Sequence, residues 1–193
     1  MKMKQPAGLD NWVVPDVPAD LGGVEFIFIL ESPHKAELRK KCPAAGTAGK
    51  AMARFVLGNR EEAFGEIILN GKTGDKYAIV NVCQLPMQAG AYDESLTGEQ
   101  KEVVRKLGEL RNPERKNVDA ALYTAILQDL KARLAKAGPQ AKLIPCGKFA
   151  RKAVLNVCGP NPYEVPHPSF GNWHKKKYKA AMELLKAELA VGF

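Results

Sequence analysis

The sequence predicts an α/β fold: three layers, α/β/α, around a central four-stranded, mostly parallel sheet. Continuous apolar runs rich in β-forming residues, the mark of buried parallel strands, alternate along the chain with stretches of helical spacing. Strands that alternate with helices favour a parallel sheet covered on both faces. The length of 193 residues favours a single domain, taken here as 1–193.

Each strand is predicted from its own run. The first ends in a carboxylate and is stopped by Pro33, which cannot donate to a ladder. The second contains one buried-looking polar residue, Asn81, and a Gly-containing turn separates it from a short strand predicted at 66–69. The four central strands are predicted at 24–31, 76–83, 141–145 and 163–165.

Helices are predicted between these strands from apolar residues at helical spacing. Asn117 is the expected N-cap of the helix that ends before Gly138-Pro139. Residues 35–45 are expected to form a basic loop or short helix, and 84–116 a loop with a short helix. The four longer helices are predicted at 46–57, 118–134, 148–157 and 173–189.

Charge favours a polyanionic partner. Lys and Arg total 29 against 21 Asp and Glu, a formal net charge of +8, which favours DNA, RNA or an acidic membrane surface. The four cysteines form no C-x-x-C pair, which argues against a zinc ribbon or disulfide scaffold. With no apolar leader and no membrane-length apolar run, a cytoplasmic protein is expected.

Candidate functional residues follow from the strand assignment, because open parallel sheets bind ligands outside the carboxyl ends of their strands. Glu31, Ser32 and His34 follow the first strand, and Asn81 lies near the end of the second. His167 follows the fourth. A carboxylate, an amide and two histidines are therefore expected on one rim.

Four segments in order resemble motifs of the uracil-DNA glycosylase superfamily. Ile29-Leu30-Glu31-Ser32-Pro33 resembles its first motif, and the segment from Pro43 to Lys50 is similar to a Gly-x-Ala-Gly segment of the thermostable iron–sulphur branch. The run 78–82 looks like the strand that holds the base-reading Asn, and His167-Pro168-Ser169 resembles the closing motif. Leu143 to Ala150 also fits the family's strand–Gly–helix step.

The resemblance implies a role for each site residue. Glu31 would stabilise the sugar cation or orient water, and His167 would stabilise the departing base anion. Asn81 would read the base edge, with Ser32 and His34 beside it. No metal or organic cofactor is implied.

The resemblance also implies a DNA surface around the same rim. Lysines follow the first motif and the closing turn, and family members insert a wedge side chain just after that turn. Phe170 and Trp173 are the available wedges, and Trp173 is equally suited to a helix core. The implied DNA-contacting residues are Lys35, Lys50, Ser169, Phe170, Trp173 and Lys175.

The chain departs from the family pattern at three points. Ser32 stands where many members have Asp or Asn, and the base-stacking Phe of the iron–sulphur branch is replaced by Ala44, so that Phe55 or Tyr92 would have to supply a ring. The cluster cysteines of that branch are not matched. Structural alternatives therefore stay open: a strand-end carboxylate for Glu31, a loop tie for Asn81 and a turn brace for His167.

Three functions are compatible with these observations. The first is a monomeric DNA glycosylase that hydrolyses the N-glycosidic bond of uracil or another damaged base flipped out of DNA. The second is a non-catalytic module that recognises a modified base or a single strand. The third is an enzyme that acts on free nucleosides or nucleotides.

Overall fold

A computed structural model describes residues 8–93, 95–112 and 118–191. Its sheet has three parallel strands in these ranges, in the order β2-β1-β3: β1 Phe26–Leu30, β2 Tyr77–Asn81 and β3 Lys142–Pro145. Phe26 pairs with Tyr77 on one side and Lys142 on the other. All three strands therefore run the same way, and their carboxyl ends form one edge.

Seven α-helices surround the sheet in the described ranges. The first three precede β2, the next two lie between β2 and β3, and the last two follow β3. They are α1 Lys35–Lys40, α2 Thr47–Leu57, α3 Phe64–Leu69, α4 Gly98–Leu110, α5 Ala120–Leu134, α6 Lys148–Cys158 and α7 Lys179–Val191.

Two apolar clusters lie on opposite faces of the sheet, so the α/β prediction and the parallel sheet are confirmed. Ile27 and Ile29 pack with residues of α4, α5 and α6, and we call this face the α4–α6 face. Phe26 and Phe28 pack with residues of α2, α3 and α7, and we call it the α2–α3–α7 face. Side chains alternate along a strand, which is why successive β1 residues belong to different clusters.

The predicted fourth strand at 163–165 is wrong. This extended segment is followed by Pro166 and makes one backbone contact with the end of β3, from the Gly147 N–H to the Val165 carbonyl at 2.8 Å. The strand predicted at 66–69 is helix α3, because Phe64, Ile67 and Ile68 are buried together at helical spacing. Short apolar runs do not distinguish a strand from a helix.

Helix boundaries differ from prediction at three places. The short helix expected within 84–116 is the 13-residue α4, which begins with a Thr97–Gln100 capping box. Helix α5 is capped by Asp119, whose carboxylate accepts from the Leu122 N–H at 2.9 Å, and Asn117 lies outside the described residues. The predicted last helix starts as two 3₁₀ turns, 169–174 and 176–178, and becomes α-helical only at Lys179.

Within the described ranges, none of the helices combines the length and the apolar character needed to cross a membrane.

Candidate functional site

The carboxyl edge of the sheet brings the main predicted residues into one region. Leu30 and Asn81 are paired across β1 and β2, and the Cys83 N–H donates to the Glu31 carbonyl at 3.1 Å. Gly147 follows β3, and a Cβ built there would lie 3.1 Å from the Cβ of His167. Asn81 therefore ends β2, Glu31 follows β1, and His167 lies beside the chain that follows β3.

Asn81 is the most deeply buried polar residue of this edge. It is 1% exposed, and its amide nitrogen and oxygen have no hydrogen-bond partner among the described residues. By alternation with Tyr77 and Ile79, the residue belongs to the α2–α3–α7 face. An unpaired buried amide costs free energy, so Asn81 has a donor and an acceptor that no described residue uses.

Glu31 is held by a cation that the sequence did not single out. The Arg111 Nε atom lies 2.6 Å from the Glu31 Oε1 atom, in an ion pair whose side chains are 45% and 19% exposed. Arg111 comes directly after Leu110, a buried residue of the α4–α6 face. Glu31 and Asn81 therefore approach the edge of the sheet from opposite faces.

His167 is a half-buried imidazole close to both charges of that pair. Burial lowers the pKa of His167, the positive charge of Arg111 lowers it as well, and the negative charge of Glu31 opposes them. The Nδ1 atom accepts a hydrogen bond from the Ser169 N–H at 3.2 Å. Neutral His167 accordingly has its proton on Nε2, where it can be donated.

The turn that follows β1 is supported by a half-buried carboxylate. Glu37 accepts from the backbone N–H groups of His34 and Ala44, which ties the start of α1 to the loop before α2. Burial raises the pKa of Glu37, and the two hydrogen bonds oppose that effect. The half-buried Ser32 accepts from the Met87 N–H at 3.4 Å, and His34 is exposed.

The two candidate wedge residues have different surroundings. Phe170 is 91% exposed and has a φ of 58°, a left-handed conformation that bulky residues rarely adopt. Trp173 is buried, its indole N–H donates to the Pro166 carbonyl at 2.7 Å, and its ring packs against Phe28 and Phe55. Trp173 is therefore a core residue, and only Phe170 of the two is presented to solvent.

The other predicted DNA-contacting residues lie at the surface. Lys35 and Lys50 are exposed near the starts of α1 and α2, and Ser169 is half-buried. Lys175 is exposed, and its ammonium group donates to the Asn172 side chain at 2.7 Å. Their positions alone do not indicate which ligand these four residues would contact.

The rings considered as substitutes for a stacking Phe are engaged elsewhere. Ala44 is buried in the α2–α3–α7 face with a φ of 50°. Phe55 packs edge-on against Trp173, and Tyr92 packs against Trp12 while its hydroxyl donates to the Pro86 carbonyl at 2.7 Å. Neither ring is shown to take the place of the missing Phe.

Arg111 could not be found from local sequence pattern. It is separated from Glu31 by 80 positions and falls in the segment 84–116, where Gly, Pro and charged residues obscure the helical spacing. Its only signal is that it follows the last apolar residue of a helix, where cations are favoured. Tertiary structure alone pairs it with the carboxylate.

Within the described ranges, no three His, Cys, Asp or Glu residues are grouped so that they could hold a metal ion. Neither protein-family models nor curated proteins give a match to this chain. The chemistry of the site is therefore argued from its own residues.

Proposed function

We propose that this protein binds a nucleobase extruded from DNA and hydrolyses its N-glycosidic bond. The observation that carries the proposal is the buried Asn81 amide, whose nitrogen and oxygen have no hydrogen-bond partner in the part of the chain that the structure describes. A side-chain amide pairs with a base edge that presents the complementary acceptor and donor. Pairing of this kind would recover the hydrogen bonds that the fold leaves unmade.

Glu31 and His167 supply the charges that the reaction needs. Breaking the bond between sugar and base develops positive charge on the sugar and negative charge on the base. A carboxylate stabilises the first and orients water, and the Nε2–H of a neutral imidazole donates to the second. The lowered pKa of His167 supports this assignment, because it keeps that proton arrangement at neutral pH.

Phe170 supports an extruded base rather than a free one. Extrusion leaves a gap in the base stack, and architectural DNA-binding proteins insert apolar side chains into such steps. Phe170 is almost fully exposed on the turn that begins at His167, and Gly171 beside it also has a positive φ of 63°. An apolar ring exposed on a constrained turn suits insertion into DNA.

The ion pair between Arg111 and Glu31 favours a second candidate. A carboxylate already neutralised by a guanidinium is less able to stabilise a sugar cation, so the site could recognise a base in DNA without cleaving it. The two candidates share Asn81 and Phe170 and differ only in the role of Glu31.

Oligonucleotides that contain uracil, hypoxanthine, xanthine or mismatched thymine test the proposal. The wild-type protein is expected to leave alkali-labile abasic sites in at least one of them. Glu31→Gln should slow base release by about 10²- to 10³-fold, the usual effect of losing one electrostatic stabiliser. Glu183→Gln, which removes an exposed carboxylate on α7, is the matched control and should keep wild-type rates.

The outcomes separate the candidates. Retention of a damaged oligonucleotide without any abasic site would support the binding module, and Asn81→Leu should then abolish the preference for the damaged strand. Hydrolysis of free nucleosides with no effect on oligonucleotides would contradict both proposals.

A further inference from the structure

A basic groove runs along α6 beside the candidate site. Its volume is about 900 Å³, and four of its lining residues are cationic: Arg111, Lys148, Arg151 and Lys152. Among the described residues that line it, Glu164 is the one carboxylate. The cations of the lining outnumber its one carboxylate, although Arg111 is paired with Glu31 and Arg151 with Glu164. Glu31, Asn81 and His167 are not part of the lining.

The placement of these cations opposes the stability of α6. Lys148 is the first residue of the helix, where the helix dipole disfavours positive charge. Lys148 and Lys152 are four residues apart, so the like charges repel each other by about 0.2–0.5 kcal/mol. An anion bound beside Lys148 would offset the unfavourable charge at the start of the helix.

One carboxylate does not neutralise the groove. Glu164 lies 2.9 Å from Arg151, but its side chain is 77% exposed. Ion pairs at such exposure contribute little and are screened by salt. A multiply charged ligand could displace Glu164 at small cost.

The size and lining of the groove fit a polymer. Its volume is at the upper end of the range for small-molecule pockets. Its lining also includes Leu155, which is 55% exposed. Cations beside an exposed apolar side chain suit a strand with a charged backbone and planar bases.

Arg111 connects the groove to the candidate site, since it lines the groove and donates to Glu31. We infer that the groove binds the sugar–phosphate backbone of the single strand that flanks the extruded nucleotide. The identity of this polymer rests on the proposed function. A phosphate beside Arg111 would compete with Glu31 for the guanidinium, so strand binding and the state of the carboxylate are coupled.

The test measures binding of a fluorescent single-stranded DNA that contains no damaged base. In the full chain, Lys148→Glu combined with Arg151→Glu is expected to weaken binding at least tenfold. The slope of log affinity against log salt should fall by about 1.4, which is about 0.7 for each of two lost phosphate contacts. Lys101→Glu combined with Lys136→Glu changes the net charge equally, outside the groove, and should keep affinity within about threefold of wild type, because only screened long-range charge is lost.

Thermal unfolding shows whether the variant is folded. Lys148→Glu places a negative charge at the start of α6, which should stabilise the helix, so weaker binding should accompany an unchanged or higher melting temperature. The neutral pair Lys148→Gln and Arg151→Gln should weaken binding by a smaller factor in the same direction.

Three results would overturn the inference: wild-type affinity in the groove variant, an equal loss in the control, or equally tight binding of poly-glutamate. Base release measured on the same proteins keeps the two proposals apart. Loss of strand binding by the groove variant supports the groove even if no base is ever released. If the protein releases a base but the groove variant binds the strand as tightly as wild type, only the inference about the groove is contradicted.

Discussion

The role in base recognition that we propose for Asn81 would come at a cost in stability. Its buried amide has no hydrogen-bond partner among the described residues, and such a group costs about 1–3 kcal/mol of folding free energy. The residue belongs to a strand whose other side chains are apolar and buried. The fold would be more stable with an apolar side chain here, which is the usual relation between a binding site and its scaffold.

We expect Asn81→Leu to stabilise the protein by about 1 kcal/mol, because leucine has the same side-chain branching and no polar atoms to bury, and this gain exceeds the cost of its larger volume. Urea unfolding monitored by circular dichroism measures the change. Asn161→Leu is the control, because the Asn161 amide donates to the Leu143 carbonyl and accepts from the Tyr163 N–H, both at 2.9 Å. That variant should lose stability, and the same sign of change in both variants would contradict the argument.

The pKa of His167 reports the ion pair beside it. Arg111→Gln should raise this pKa, because a nearby positive charge is lost, and Glu31→Gln should lower it further. An NMR titration of the imidazole protons measures both shifts. Arg105→Gln, on the exposed surface of α4, should leave the pKa of His167 unchanged.

The lowered pKa of His167 also predicts how the stability of the protein changes with pH. The folded state of His167 releases its proton at lower pH than the unfolded chain, whose pKa is about 6.5. Between the two pKa values the unfolded state binds more protons, so the stability of the wild-type protein should rise with pH across this window. A fall in stability across that window would contradict the assignment of a neutral, half-buried imidazole.

At the scale of elements, α6 is bounded by two glycines that need positive φ. Gly147 and Gly159 have φ of 97° and 88° with nearly extended ψ, a region almost exclusive to glycine. Their surroundings differ. A Cβ on residue 147 would lie 3.1 Å from the Cβ of His167, and a Cβ on residue 159 would meet nothing within 4 Å.

A comparison of alanine substitutions at Gly147 and Gly159 separates the effect of backbone strain from the effect of displacing His167. Gly147→Ala and Gly159→Ala should each cost about 1–3 kcal/mol of stability. Only Gly147→Ala should also move the NMR signals of His167 and reduce base release or damaged-strand binding. Unfolding curves and the imidazole spectrum of both variants check this, and equal spectra would show that Gly147 does not position His167.

Elements with long apolar runs were predictable from sequence, and the others fail for physical reasons. The runs behind β1, β2 and β3 are long enough to identify central strands. The signals for α4 were present, since the Thr97–Gln100 capping box precedes buried Val104, Leu107 and Leu110, but surrounding charges obscured them. The sequence predicted only that the site lies at the carboxyl edge of the sheet. It placed Asn81 there, but it could not show that the Asn81 amide has no hydrogen-bond partner among the described residues.

At the scale of the whole molecule, part of the chain's positive charge lies near the carboxyl edge. Three basic groups each follow a segment that ends there: the start of α1, the start of α6 and the turn before α7. With a net charge of +8, the protein should attract polyanions toward this edge in a salt-dependent way. The groove along α6 is one part of that surface.

An ion cluster whose side chains are 9–19% exposed joins distant parts of the molecule on the α4–α6 face. Arg133 of α5 lies 3.0 Å from Asp16, 2.8 Å from Asp129 and 3.0 Å from the Val82 carbonyl. It thus links the segment before β1, the chain after β2 and helix α5. Such clusters depend on every member, because removal of one leaves buried charge without compensation.

Arg133→Met should therefore destabilise the protein by about 3–5 kcal/mol. Arg105→Met is the matched control, since Arg105 also pairs with two carboxylates, Glu102 and Glu109, but on the surface, where the loss should be much smaller. Burial raises the pKa of Asp16, and losing Arg133 should raise it further. The variant's folded state then binds more protons than its unfolded state, so its deficit should shrink as pH falls toward that raised pKa. Urea unfolding of both variants at several pH values measures this, and a pH-independent deficit would mean that Arg133 acts through packing rather than through charge.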